Sequence, residues 1–185
     1  IFLLLSIGLF SCHRQVHMVK ATSEVILLDS TFDALQDSNY LRYLTPFKYH
    51  LEQRLSVPIG YAPSDMRVYS PECPMLNWAS DALFAMAKQL CPDHVDIAVV
   101  NIGGMRCEWA AGDITFRNVF ELMPFDNELV VLTLQGKEIL SLCKIFAKNG
   151  GEGVAGLRIV AQKGTIKSAK IAGKEIVPEA YYTVA

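Results

Sequence analysis

The spacing of the apolar residues changes along the chain, and this change limits the folds available to it. Between residues 40 and 90, apolar side chains recur every three or four positions, which predicts two amphipathic helices at 40–55 and 75–90. Residues 157–176 instead alternate between apolar and polar, with turns at 163–164 and 172–173, which predicts a C-terminal β-meander. Helices followed by paired strands predict an α+β fold, a layered α/β domain with a mixed sheet.

A β-branched run at 95–100 predicts a buried strand that ends in a glycine turn. Asn101 follows the strand and can donate and accept hydrogen bonds. Gly103 and Gly104 allow close approach of a ligand to the backbone, and the Arg106 fork suits phosphate or carboxylate. From the residues alone, a strand-ending turn with a solvated arginine is a slightly more common explanation.

A second candidate feature follows residues 114–123, which predict a short helix. Thr115 is its expected N-cap, and Phe116, Val119 and Phe120 are expected to face the core. Pro124 then restricts the chain so that Phe125 projects from a loop, where an aromatic ring can stack on a base. The alternative is that Phe125 packs into the core.

The N-terminal twelve residues predict an export signal rather than part of the folded domain. Residues 1–10 are apolar, too short for a transmembrane helix, and typical of the hydrophobic region of a signal peptide. Residues 9–12 are similar to a bacterial lipobox, which makes Cys12 the predicted lipidation site; a buried N-terminal strand is the alternative. We therefore expect an exported periplasmic or cell-surface lipoprotein, with a tether at 13–24 and a domain at 25–185 that is truncated at its C-terminal end.

Charge and cysteine content exclude several other functions. The formal net charge is −2 and no long run of Lys or Arg occurs, which argues against a reader of duplex nucleic acid. No Cys-x-x-Cys pair and no His at ligand spacing is present, so we expect no metal site in this chain. The four remaining cysteines are Cys73, Cys91, Cys107 and Cys143. They could form disulfides in any of three pairings, but we expect them to be free thiols.

The order of four short motifs resembles a known family, the 5′-nucleotidases, which includes the periplasmic UDP-sugar hydrolases. These motifs are residues 101–106 (NIGGMR), 112–115 (GDIT), 123–125 (MPF) and 134–138 (LQGKE). They resemble the C-terminal, substrate-recognition domain of that family. The resemblance implies a layered α/β domain that binds nucleotide beside a separate metallophosphatase domain.

The same resemblance implies roles for individual residues. Asn101 and Arg106 match nucleotide- and phosphate-contacting positions, with Gly103 and Gly104 in the same substrate-binding loop, and Phe125 matches one of two aromatic clamps around the base. Arg67 is the nearest candidate for a further phosphate contact. The second aromatic residue and a ribose-binding Asp are expected beyond the last residue of this sequence.

No catalytic residue is expected in this chain, because the family's metal-binding half would have to supply the metal-bound nucleophile. Since a signal segment directly precedes the domain, we expect this chain to act with a separate metallophosphatase chain that holds a divalent metal, in nucleotide catabolism. The alternatives are a non-catalytic surface module that binds nucleotides or nucleosides, and a structural lipoprotein that has lost its site.

Overall fold

The computed structural model describes residues 18–27, 29–35, 37–91 and 93–185. The predicted signal segment, Cys12 and the first five residues of the predicted tether lie outside the described residues. The described residues divide into two compact units between Thr45 and Pro46. In the first unit a 3₁₀ helix spans Ser30–Leu35, and the carboxylate of Asp37 accepts the Asn39 N–H at 2.8 Å, capping the first α-helix.

Four α-helices are present in the described residues, α1 (Ser38–Leu55), α2 (Pro74–Leu90), α3 (Phe116–Leu122) and α4 (Gly136–Asn149). The two helices predicted at 40–55 and 75–90 are confirmed. Pro74 starts α2 at a position where its missing N–H costs no hydrogen bond. Asn118 accepts the backbone N–H of Thr115 at 2.8 Å, so Thr115 caps α3 as predicted. Gly150 ends α4 in the left-handed conformation.

The described strands are β1 (Pro58–Ala62), β2 (Ala98–Val100), β3 (Gly112–Thr115), β4 (Leu132–Gln135), β5 (Gly153–Ala155), β6 (Leu157–Gln162), β7 (Thr165–Ile171), β8 (Lys174–Glu175) and β9 (Tyr181–Val184). β2 pairs with β5 and β4 with β9, both antiparallel, while a parallel bridge from Ile97 to Val184 joins β9 to the start of β2. The described strands form small antiparallel sheets, and the bridge from Ile97 to Val184 is the parallel element between β2–β5 and β4–β9, in place of one continuous mixed sheet. The strands β6, β7 and β8 form the predicted meander.

Two hydrophobic clusters make up the core. The first lies under α2 and includes Met75, Leu76 and Trp109, and the second lies between α4 and the meander and includes Ile139 and Cys143. Burial raises the pKa of the Cys143 thiol to about 11, so this side chain remains a neutral, apolar part of the second cluster. Together the clusters fix β2 and α3, the two elements from which the candidate site extends.

Three local predictions were wrong. Residues 112–115 form β3, so the helix predicted at 114–123 begins only at Phe116, and its buried side is set by Val119 and Leu122. Phe116 and Phe120 are therefore 52% and 67% exposed instead of facing the core. The strand predicted at 95–100 is shorter in the structure, where β2 covers only Ala98–Val100.

Candidate functional site

The turn after β2 holds Asn101, Gly103 and Gly104 together. The backbone N–H of Gly104 donates to the carbonyl of Asn101 at 3.0 Å, and a single 3₁₀ turn covers Ile102–Gly104. The Asn101 side chain folds over this turn, since a Cβ atom on Gly104 would lie 3.1 Å from its Oδ1. The lack of side chains at 103 and 104 thus makes room for the Asn101 amide, while Asn101 itself stays exposed.

Arg106 and Phe125 lie side by side although 18 residues separate them along the chain. The Arg106 N–H donates to the carbonyl of Leu122 at 2.8 Å, which ties the strand-side segment to the end of α3. The Phe125 N–H then donates back to Met123 at 2.8 Å, making a tight turn around Pro124. As a result the guanidinium carbon of Arg106 is 6.0 Å from the centre of the Phe125 ring. Phe125 is 49% exposed, so the alternative of a core position does not hold.

Arg67 lies on a neighbouring segment rather than in this cluster. Met66 and Trp109 exchange backbone hydrogen bonds of 2.8 and 3.1 Å, which places residues 66–68 beside the chain that leads away from Arg106. The Arg67 guanidinium pairs with Asp65 at 3.5 Å and its side chain is 67% exposed. In the described part of the chain, no hydrogen bond or ion pair joins Arg67 to Arg106 or Phe125.

One residue of the site was missed by the sequence analysis. The side chain of Glu152 accepts the backbone N–H of Ile102 at 2.7 Å, in the middle of the glycine turn. The antiparallel pairing of β2 with β5 brings Glu152 there, because Val100 faces Gly153 in the register. The nearest sequence signal is the Gly150–Gly151 pair, which is typical of the end of a helix and does not indicate a binding site.

Glu152 also lines a cleft of about 760 Å³, together with Glu72, Asn77, Arg158 and Lys163. Glu72 accepts a hydrogen bond from the Asn77 amide at 3.0 Å, so part of this wall is already ordered. Neither Arg106 nor Phe125 lines the cleft. Glu152 is therefore the residue through which the cleft and the glycine turn are connected.

The thiol next to Arg106 is neutral. Burial raises the pKa of Cys107, and the negative charge of Glu121 raises it further. All four cysteines at 73, 91, 107 and 143 are free thiols. Among the described residues, no group of three or more His, Cys, Asp or Glu side chains could hold a metal ion. None of the described helices is long and apolar enough to cross a membrane.

Comparison with known proteins gives the family. The sequence model of the "5'-nucleotidase, C-terminal domain" family matches residues 54–185, well over half of the chain. The chain belongs to the 5′-nucleotidase C-terminal domain family. The resemblance inferred from the motif order is thereby confirmed, and the matched region contains the glycine turn, Arg106, Phe125 and Glu152.

Curated relatives match most of this chain. Protein UshA of Yersinia enterocolitica is 29% identical over 177 residues, which is 93% of this chain and 32% of UshA. A 5′-nucleotidase of Vibrio cholerae is 27% identical over 173 residues, 89% of this chain and 30% of that protein. The chain thus spans about a third of the length of the curated relatives it matches.

Solved structures support the same fold. The crystal structure of a 5′-nucleotidase precursor from Thermus thermophilus superimposes with a TM-score of 0.63 at 27% identity, covering 78% of this chain and 31% of that one. The NAD nucleotidase of Haemophilus influenzae has a TM-score of 0.59 at 18% identity, covering 80% of this chain and 31% of that one, and shares the fold. The α+β fold of the 5′-nucleotidase C-terminal domain is therefore established for this chain.

Proposed function

We propose that this domain recognises a nucleoside or nucleotide with the Asn101–Gly104 turn, Arg106 and Phe125, and presents it to a separate metallophosphatase chain. That second chain would hold the divalent metal and hydrolyse the phosphate ester. The observation that carries the proposal is the position of the Arg106 guanidinium, 6.0 Å from the centre of the half-exposed Phe125 ring. A cation beside a half-exposed aromatic ring suits a ligand that combines a flat base with a phosphate.

Each residue has a distinct task in this proposal. The base stacks on the exposed part of the Phe125 ring, and the Asn101 amide can donate to and accept from the polar edge of the base. Arg106 contributes paired N–H donors for a phosphate group. Arg67 lies on the adjacent segment, already paired with Asp65, and would have to leave that carboxylate to contact phosphate. The names of the relatives, 5′-nucleotidases among them, support a role in nucleotide catabolism.

We expect the binding of adenosine and AMP to separate the roles of Phe125 and Arg106. Phe125→Ala should weaken both ligands by about 1–3 kcal/mol, the usual contribution of one aromatic stacking contact. Arg106→Ala should weaken AMP more than adenosine, because a hydrogen bond to a charged group contributes about 1.5–3 kcal/mol. Isothermal titration calorimetry on the full chain measures both.

Two variants serve as matched controls for this titration. Phe120→Ala removes an aromatic ring that is also exposed, and Arg54→Ala removes an exposed arginine near the end of α1. Neither should change the Kd of adenosine or AMP. The proposal fails if neither ligand binds the wild-type chain, or if Phe125→Ala leaves both dissociation constants unchanged. Binding without effect on any metallophosphatase would instead favour the non-catalytic surface module.

We further propose that the chain is exported and anchored through a lipid on Cys12. The support is the sequence alone, an apolar run of ten residues followed by the Leu9–Cys12 motif. Multiple acyl chains would anchor the protein stably, whereas one chain binds membranes only marginally. Cells that express the precursor should incorporate labelled palmitate into the wild-type protein and not into Cys12→Ala. Equal labelling of the two proteins would exclude Cys12 as the site.

A further inference from the structure

We infer that Glu152 is a positioning residue for nucleotide recognition, and that it acts through the backbone N–H of Ile102. This inference rests on the proposed function. Glu152 accepts that N–H at 2.7 Å while partly buried. Ile102 lies between Asn101, which is expected to contact the base, and Gly103 and Gly104, over which the Asn101 amide packs.

The surroundings of Glu152 make this hydrogen bond a fixed connection rather than a chance surface contact. Gly151, the preceding residue, lies against the backbone of Pro71, so closely that a Cβ atom there would be 2.4 Å from the Pro71 carbonyl oxygen. Gly153, the next residue, is paired with Val100 in the β2–β5 register. The backbone on both sides of Glu152 is therefore fixed in position. Its carboxylate can, as a result, restrain the conformation of the glycine turn.

Among the described residues, Glu152 is also the only side chain that accepts a hydrogen bond from an N–H group of the turn, residues 101–104. The other bonds there are local, from Gly104 to Asn101 and from Met105 to Ile102. A turn that contains two adjacent glycines has many accessible conformations, so an external restraint determines how well the Asn101 amide is placed before a ligand arrives.

Two conservative variants separate positioning from charge. Glu152→Gln loses the charge but keeps an oxygen at the same reach, whereas Glu152→Asp keeps the charge but is one methylene shorter. If Glu152 acts by positioning, Glu152→Gln should bind adenosine and AMP like the wild type. Glu152→Asp should raise both dissociation constants about tenfold, the equivalent of about 1.4 kcal/mol.

Hydrogen exchange of the Ile102 amide gives a readout that a general loss of stability would not reproduce. The amide should exchange faster in Glu152→Asp than in the wild type and remain protected in Glu152→Gln. Glu138→Asp is the matched control, because the Glu138 carboxylate also accepts a backbone N–H at 2.7 Å, that of Gln135. This hydrogen bond lies at the N-terminal end of α4, whereas Glu152 follows its C-terminal end. This control should leave the Ile102 amide and both dissociation constants unchanged.

Two results overturn the inference. If the wild type binds and Glu152→Asp binds equally well, or if Glu152→Gln is as weak as Glu152→Asp, then Glu152 does not position the turn through this hydrogen bond. If the wild-type chain binds neither adenosine nor AMP, the proposed function itself fails and the inference goes with it. The wild-type titration therefore distinguishes the two failures.

Discussion

We expect this protein to raise the kcat/KM for AMP of a metallophosphatase chain by about 10- to 100-fold, when that chain has no recognition domain of its own. The estimate follows from the binding contributed by Phe125 and Arg106, because each 1.36 kcal/mol that is available in the transition state changes the rate tenfold. Binding energy from parts of the substrate remote from the reaction can be used in this way. Phosphate release at subsaturating AMP, with and without this protein, measures the effect.

A comparison of substrates makes this experiment specific. Hydrolysis of p-nitrophenyl phosphate should change little in the same mixture, since recognition of a nucleotide would not act on a substrate without a nucleoside. The Phe125→Ala protein should give a smaller increase with AMP than the wild type, and Phe120→Ala the full increase. An AMP rate that is the same with and without the wild-type protein would contradict the role of a recognition subunit for that chain.

Gly151→Ala should destabilise the fold more than most single substitutions and should also weaken ligand binding. The backbone φ of Gly151 is +120°, a value that residues other than glycine rarely adopt. The new Cβ atom would also lie 2.4 Å from the carbonyl oxygen of Pro71. Strain of this kind costs about 1–3 kcal/mol, and crowding adds a similar amount. At about 2–4 °C per kcal/mol, the melting temperature should fall by roughly 5–20 °C.

Two other glycines separate the causes of this loss. Gly173 has a φ of +79° but nothing within 4 Å of its would-be Cβ, so Gly173→Ala carries strain without crowding. Gly60 has neither a positive φ nor a close neighbour, and Gly60→Ala should not lower the melting temperature. Thermal unfolding followed by circular dichroism should rank the three variants in that order. If Gly151→Ala is as stable as Gly173→Ala, Pro71 does not constrain this glycine.

The parts of the site that could be predicted from sequence are those encoded within a few residues. A strand before the glycine turn, the turn itself and the cap at Thr115 each depend on neighbouring residues. The structure contains all three, although β2 covers only Ala98–Val100 of the predicted 95–100. The family motifs also lie in short blocks, which is why their order was sufficient to indicate the family. The burial of Phe116 and Phe120 could not be judged, because it depends on where β3 ends and hence on how the helix is rotated.

The contacts between distant segments could not be predicted. The closeness of Arg106 to Phe125 follows from the backbone hydrogen bond from Arg106 to Leu122 and from the tight turn that joins Phe125 to Met123. The contact of Glu152 with Ile102 joins residues that are 50 positions apart and requires the register of β2 with β5. No periodic pattern or motif around Glu152 predicts that its carboxylate contacts the Ile102 N–H. Side-chain contacts to backbone N–H groups of another strand are in general invisible to local spacing.

The placement of β9 between β4 and β2 has a consequence for how the protein reaches its fold during translation. β9 pairs with β4 through residues such as Gln135 and Tyr181, 46 positions apart, and Thr183 binds Asp96 across 87 positions. The ribosome therefore produces β2 and β4 long before β9. The edges of β2 and β4 that pair with β9 stay unpaired until β9 has been synthesised. Such late closure is slow and leaves unpaired strand edges open to other nascent chains. The strands that support the candidate site are joined only when a segment 87 positions after Asp96 has been synthesised.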